Sequence, residues 1–117
     1  MKLVLSAHNV QSSEAIEKHI QEKIDKLEHH DPRAIEARVT IEHDTTKSPE
    51  KAFRCSMRIA VPGPDLFAED SENDLYAAID LVTKKIDQQM RTRHNRQISK
   101  NHSEAARLKQ ERQDEGL

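Results

Sequence analysis

Asp74-Leu75-Tyr76-Ala77-Ala78-Ile79-Asp80 opens a run that continues to about Arg96, and its reading decides the fold. Leu75, Ile79, Val82, Ile86 and Met90 recur at intervals of four, three, four and four, which on a helix makes one apolar stripe. Such a stripe has to be buried against a second layer. Downstream, the run ends in Arg91-Thr92-Arg93-His94-Asn95-Arg96, a density of positive charge that packing does not require. Upstream, Ser71-Glu72-Asn73-Asp74 has the spacing of a capping box with Asp in place of the usual Glu, which sets the expected helix start.

The preceding segments supply the layer that this helix needs. Ala37, Val39 and Ile41 alternate with Arg38, Thr40 and Glu42, the pattern of a half-buried strand. Phe53, Cys55, Met57, Ile59 and Val61 alternate in the same way after the turn-rich stretch Asp44 to Glu50, so a hairpin is expected. Pro62-Gly63-Pro64-Asp65 turns the chain again into a short strand, Leu66-Phe67-Ala68. Lys2 to Ala7 reads as a first strand. Between it and the hairpin, Ile16, Ile20, Ile24 and Leu27 define a helix with Ser12-Ser13-Glu14 at its start, Val10 placed to staple its entry, and Asp31-Pro32 at its end. The order is β-α-β-β-β-α. This predicts an α+β two-layer sandwich, a four-stranded sheet with two helices on one face and the other face open.

The chain has 117 residues, 34% hydrophobic and 34% charged, enough for one modest core. A domain over residues 1–97 and a polar, flexible tail over 98–117 are therefore expected. The net charge of -2 conceals a split: residues 1–83 hold ten Lys and Arg against sixteen Asp and Glu, whereas 84–112 hold nine against three. Asymmetry of this kind points toward nucleic acid or another acidic surface. A single cysteine, Cys55, excludes an intrachain disulfide and a cysteine zinc site. It falls in the apolar phase of a strand, and Gly63 stands apart from any phosphate-cradling loop, so neither a nucleophile nor a nucleotide loop is evident. Glu28-His29-His30-Asp31 and His43-Asp44 contain metal-ligand residue types without a spacing that aims them at one point. No catalysis, metal, cofactor or small-molecule substrate is expected. The short apolar start and the lack of a span of about 20 apolar residues predict a soluble intracellular protein with no membrane partner.

The element order, Lys26-Leu27-Glu28 at the end of the first helix, the Val61-Pro62-Gly63 turn and above all Asp74-Leu75-Tyr76-Ala77-Ala78-Ile79-Asp80 resemble the ribosome hibernation-promoting factors and ribosome-associated inhibitor A, also labelled sigma-54 modulation proteins. The resemblance covers about residues 1–96 and is to the short form of that family. It implies a cytoplasmic protein, similar in fold to double-stranded RNA-binding domains. The implied partners are the small ribosomal subunit and its ribosomal RNA, with blockage of the messenger and transfer RNA channel and no chemistry.

RNA phosphates are neutralised by Lys and Arg spread over a rigid surface. On the first helix His19, Lys23, Lys26 and His30 share one flank, and Glu17, Gln21 and Glu28 the other; Glu22 is also spaced to pair with Lys26. On the second, Lys85, Gln88, Thr92 and Arg96 share a stripe that short family members tend to fill with Lys or Arg, so two of its four positions depart from the pattern. Lys84 and Arg91 have Asp80 and Asp87 one turn earlier as possible pairing partners, whereas Lys85, Arg93 and Arg96 have none on the helix and favour a functional role. The expected RNA-binding set is Lys23, Lys26, Lys84, Lys85, Arg91, Arg93 and Arg96, supplemented by His19, His30, His94 and Tyr76. The first-helix flank and the Lys85–Arg96 stripe are expected to border one groove. Tyr76 reads mainly as a core residue with its hydroxyl at the rim, with base stacking as the alternative. Phe67 with Arg54 or Arg58 marks the open sheet face. The competing function is a protein-interaction or homodimerisation module that uses that face; a small metal-dependent hydrolase is a distant third.

Overall fold

The computed structural model describes residues 1–94. β1 (Lys2–His8) leads through Asn9, which has a positive φ of 56°, into α1 (Glu14–His30). β2 (Glu36–His43) and β3 (Phe53–Ala60) form the hairpin, with a single 3-10 turn at Pro49–Lys51 in its loop. β4 (Leu66–Glu72) follows, and α2 occupies 75–94 of the described residues. The sheet order is β1-β2-β3-β4, with β1 parallel to β2 and the other pairs antiparallel. The expected α+β sandwich is what forms.

Each local feature follows from its residues. Ser13 caps α1 by accepting from the Ile16 amide at 3.2 Å, and the Asp31 amide closes the helix on the Leu27 carbonyl at 2.9 Å. Gly63 turns between β3 and β4 with φ +91°, a region that a side chain would strain. The core joins Ile20, Ile24 and Leu27 of α1 to Ile79, Val82 and Ile86 of α2 across Val39, Ile41, Met57 and Ile59 of the sheet. Val10 packs against it, as a staple should.

Two boundaries differ from expectation. β4 runs four residues beyond Ala68, because Asp70, Ser71 and Glu72 continue the ladder opposite Cys55, Arg54 and Phe53. Ser71 is therefore a strand residue and the capping box does not form. Asp74 caps α2 instead, its carboxylate accepting from the Tyr76 amide at 3.3 Å and its carbonyl from the Ala78 amide at 3.1 Å. Arg96 and the tail over 98–117 lie outside the described residues.

Cys55 lies in the centre of the core at 0% exposure, and burial pushes its thiol up to about 12. The reactive thiolate is scarce at neutral pH and the sulfur is out of reach. Iodoacetamide at pH 8 is expected to leave the folded protein unmodified and to label it fully in denaturant. Rapid labelling of the native protein, read by intact mass, would contradict this packing.

Candidate nucleic-acid interface

α1 and α2 lie side by side and run in the same direction, tied by charged pairs across their seam. His19 Nε2 meets Asp80 Oδ1 at 2.7 Å, and Lys23 Nζ approaches the same oxygen at 3.5 Å. Eleven residues on from His19, His30 Nδ1 meets Asp87 Oδ1 at 2.7 Å, while Arg91 takes the other Asp87 oxygen at 3.0 Å. Asp80 and Asp87 stand seven residues apart, two turns, so both face the neighbouring helix. The Asp87–Arg91 pair expected from spacing is present; Asp80 turns across the seam instead of pairing with Lys84.

Above these pairs is a groove of about 160 Å³ lined by Lys23, Lys26, Leu27 and His30 of α1 and Asp80, Thr83, Lys84 and Asp87 of α2. Lys26 and Lys84 are exposed and, among the described residues, have no ion-pair partner; the spacing of Glu22 to Lys26 is not used. Four permanent cations, Lys23, Lys26, Lys84 and Arg91, thus meet two carboxylates in the groove and on its rim. The surplus is positive without counting either histidine. Tyr76, a turn before Asp80 and outside the groove lining, is 37% exposed, with its ring 5.0 Å from that of His19 in an edge-on arrangement. The sequence placed it mainly in the core. It is instead a surface aromatic beside the cations.

One end of the groove opens into a cleft of about 510 Å³ where the C-terminal turn of α1 meets residues 87–94 of α2. His30, Arg33, Arg91, Arg93 and His94 line it over a floor of Leu66 and Met90. Asp31 holds Arg33 at 3.3 Å, and Arg93 donates to the Pro64 carbonyl at 2.6 Å, a neutral acceptor that leaves its charge uncompensated. Cations here also offset the negative end of the α1 dipole.

Lys85 belongs elsewhere. It is on the opposite flank of α2, where its ammonium contacts Asp70 at 3.1 Å and the Glu69 carbonyl at 3.3 Å. One turn on, Gln89 accepts from the Phe67 amide at 3.3 Å and donates to the Phe67 carbonyl at 2.7 Å. Lys85 and Gln89 therefore fasten α2 along the outer edge of β4, covering backbone groups that no strand pairs, and Arg93 extends the line to the turn before it. The stripe of Lys85, Gln88 and Thr92 borders this edge and not the interhelical groove. The flank that shares a groove with α1 is Asp80, Lys84, Asp87 and Arg91. Four-residue spacing of Lys85, Gln89 and Arg93 is visible in the sequence; that it meets a strand edge is not.

Asp70 illustrates how that edge contact titrates. Burial raises its carboxyl, but the Lys85 ammonium and the Ser71 amide together outweigh this and hold it below the ordinary value. A lowered folded-state value means a stabilising contribution present above the unfolded carboxyl range near 4 and lost as pH falls through the folded value. Asp70→Asn is expected to lower the urea midpoint at pH 6, with a deficit that shrinks as pH falls below about 4. An unchanged deficit across that range would show that the charge is not the cause.

The open sheet face carries paired charges. Arg54 pairs with Glu69 and, at 3.8 Å, with Glu42; Arg58 contacts Asp65 at 3.6 Å and lies over the Phe67 ring at 5.1 Å. Among the described residues no group of three or more His, Cys, Asp and Glu is gathered to hold a metal ion, and no helix is long and apolar enough to cross a membrane.

The family profile described as Sigma 54 modulation protein / S30EA ribosomal protein matches residues 3–98 of the 117. The chain belongs to this family. Curated relatives of this S30EA member include a ribosome hibernation promotion factor of Deinococcus radiodurans, 31% identical over 87 residues that make up 74% of this chain and 46% of that protein. A ribosome hibernation promoting factor of Azotobacter vinelandii is 29% identical over 100 residues, 86% of this chain and 89% of that protein. The chain thus spans about half of the first relative and most of the second. Among solved structures, a ribosomal subunit interface protein from Coxiella burnetii superposes with a TM-score of 0.70 at 16% identity, over 81% of this chain and 99% of that one. At that identity the likeness speaks for the fold alone. The matched region takes in both helices and the whole described groove.

Proposed function

We propose that this S30EA family member is a ribosome-associated hibernation factor that binds the small ribosomal subunit near the decoding channel and excludes messenger and transfer RNA. The observation that carries the reading is the groove between α1 and α2, where Lys23, Lys26, Lys84 and Arg91 outnumber Asp80 and Asp87. The names of its relatives supply the ribosome as the source of the anion.

The mechanism is steric and electrostatic. Ribosomal RNA presents closely spaced phosphates, and each lysine or arginine that replaces a condensed counterion contributes the entropy of its release. Lys26 and Lys84 provide charge with no competing partner among the described residues; Lys23 and Arg91 exchange a carboxylate for a phosphate. The basic cleft with Arg33, Arg93 and His94 continues the surface past the end of α1. Tyr76, exposed beside His19, offers a ring on which an unpaired base can stack. Lys85 contributes long-range charge while fastening the β4 edge. None of these roles requires a bond to be made or broken, so the protein acts as a reversible plug and not as an enzyme.

Sucrose-gradient sedimentation of a lysate from non-growing cells tests this reading. The protein is expected to travel with ribosomal particles that contain the small subunit and to leave them when salt is raised. Its absence from every ribosomal peak would overturn the proposal.

A further inference from the structure

The two edges of the sheet are treated differently. At β4, Gln89 of α2 bonds both the amide and the carbonyl of Phe67 and Lys85 bonds the Glu69 carbonyl, while Arg93 holds the Pro64 carbonyl in the turn before the strand. At β1 no comparable cover is present among the described residues. The Lys2 amide donates to the carbonyl of Ile35, the residue before β2, at 3.1 Å, and the parallel register then runs in step from Lys2–Glu36 to His8–Glu42. Strand alternation directs the backbone groups of Lys2, Val4, Ser6 and His8 into the sheet, and those of Leu3, Leu5 and Ala7 outward. A bare strand edge is a template for another strand.

From this edge we propose that β1 pairs antiparallel with β1 of a second copy of this chain, about a twofold axis through Leu5. The outward residues Leu3, Leu5 and Ala7 are symmetric about that point: Leu5 meets its own counterpart, and Leu3 meets Ala7 of the other copy. Every outward amide and carbonyl then gains a partner, and two four-stranded sheets become one of eight strands. The side chains fit a self-complementary contact. A groove of about 400 Å³ beside the edge has Leu3 and Leu5 as its floor and Glu14, Glu17, Lys18 and Gln21 of α1 as its wall. Leu3 and Leu5 are only half-buried and gain cover. The wall carries both signs, so the twofold sets Lys18 of one copy toward Glu14 or Glu17 of the other. Its acidic residues disfavour nucleic acid at the same place. The α1 flank used here is opposite the one facing α2, and the interhelical groove stays open in the dimer.

Register gives a discriminating test. Leu5 opposite Leu5 is a hydrogen-bonded pair, so Val4 of one copy and Ser6 of the other form the closer, non-hydrogen-bonded pair, about 4.5 Å between Cα atoms, a separation that a disulfide spans. Val4→Cys protein mixed with Ser6→Cys protein under mild oxidation is expected to give mainly the mixed cross-linked dimer, with little homodimer of either variant. Light scattering after size exclusion is expected to show wild-type mass rising from one chain toward two with concentration. Ala7→Pro, which removes an outward donor from an exposed edge position, should remain monomeric with an unchanged circular dichroism spectrum. A chain that stays monomeric at every concentration overturns the proposal. So does a dimer that ignores Ala7→Pro and forms no Val4→Cys to Ser6→Cys cross-link, which would place the contact on the open sheet face. Capture of an extended arginine-rich peptide at this edge by a chain that never self-associates also overturns it, by naming another occupant.

Discussion

Ile86→Ala is expected to lower the unfolding free energy by about 2–5 kcal/mol, the range for deleting a fully buried branched aliphatic side chain. Ile86 is 0% exposed and is on the α2 stripe with Ile79 and Val82, where the helix meets the sheet and α1. The substitution removes apolar contact and leaves a cavity that rigid neighbours fill only in part. Total stability for a domain of this kind is about 5–15 kcal/mol, so the loss is a large share of it. Gln88→Ala, on the exposed flank of the same helix, is the internal control and should change stability by no more than about 0.5 kcal/mol. Urea unfolding followed by circular dichroism checks both. A loss below about 1 kcal/mol at Ile86 would mean that α2 is not packed as described.

The second large effect concerns binding. Lys26→Glu combined with Lys84→Glu is expected to weaken association with the small subunit by at least about tenfold, because two contacts become repulsions in a salt-sensitive interface. Both residues are exposed and neither has an ion pair among the described residues, so the fold should tolerate the change with surface-level cost. The comparison with Lys85→Glu is informative. That substitution breaks the contacts to Asp70 and the Glu69 carbonyl, so its expected signature is lost stability together with a smaller loss of binding. Equal binding losses from the two variants, with stability intact in both, would place the interface on the β4 side of α2.

Most of the architecture was legible because it is periodic. Alternation located β2 and β3, the intervals between Leu75 and Met90 located α2, and Ser13 with Asp31-Pro32 bounded α1. The far half of β4 was not legible. Asp70, Ser71 and Glu72 have no apolar alternation, and they are strand only because β3 pairs with them. The same limit applies to the site. Helical spacing puts Lys85, Gln89 and Arg93 on one stripe and Asp80, Lys84, Asp87 and Arg91 on another, but it does not say which stripe meets α1 and which meets β4. Counting partners within one helix therefore left Lys85 and Arg93 without any, when their acceptors are Asp70 and the Pro64 carbonyl on distant segments. Asp80 was matched to Lys84 for the same reason, while His19 and Lys23 hold it from the other helix. Tyr76 sits one residue after the buried Leu75, too near the stripe for periodicity alone to put it outside.

The groove contains its own counterions, which gives it graded behaviour. Asp80 and Asp87 hold Lys23 and Arg91 at the seam, so on the proposed reading each of these cations has to leave a carboxylate before it can meet a phosphate. The two carboxylates also limit the net charge of the surface.

Affinity of the purified chain for isolated small subunits, measured from about 50 to 200 mM monovalent salt, tests the central claim most directly. If Lys23, Lys26, Lys84 and Arg91 bind RNA phosphates, the logarithm of the association constant should fall against that of salt with a slope of about -3 or steeper, and the Lys26→Glu, Lys84→Glu protein should show a slope shallower by about 1.5. A salt-independent affinity, or a slope that the double substitution leaves unchanged, would contradict the interhelical groove as the ribosome-binding surface.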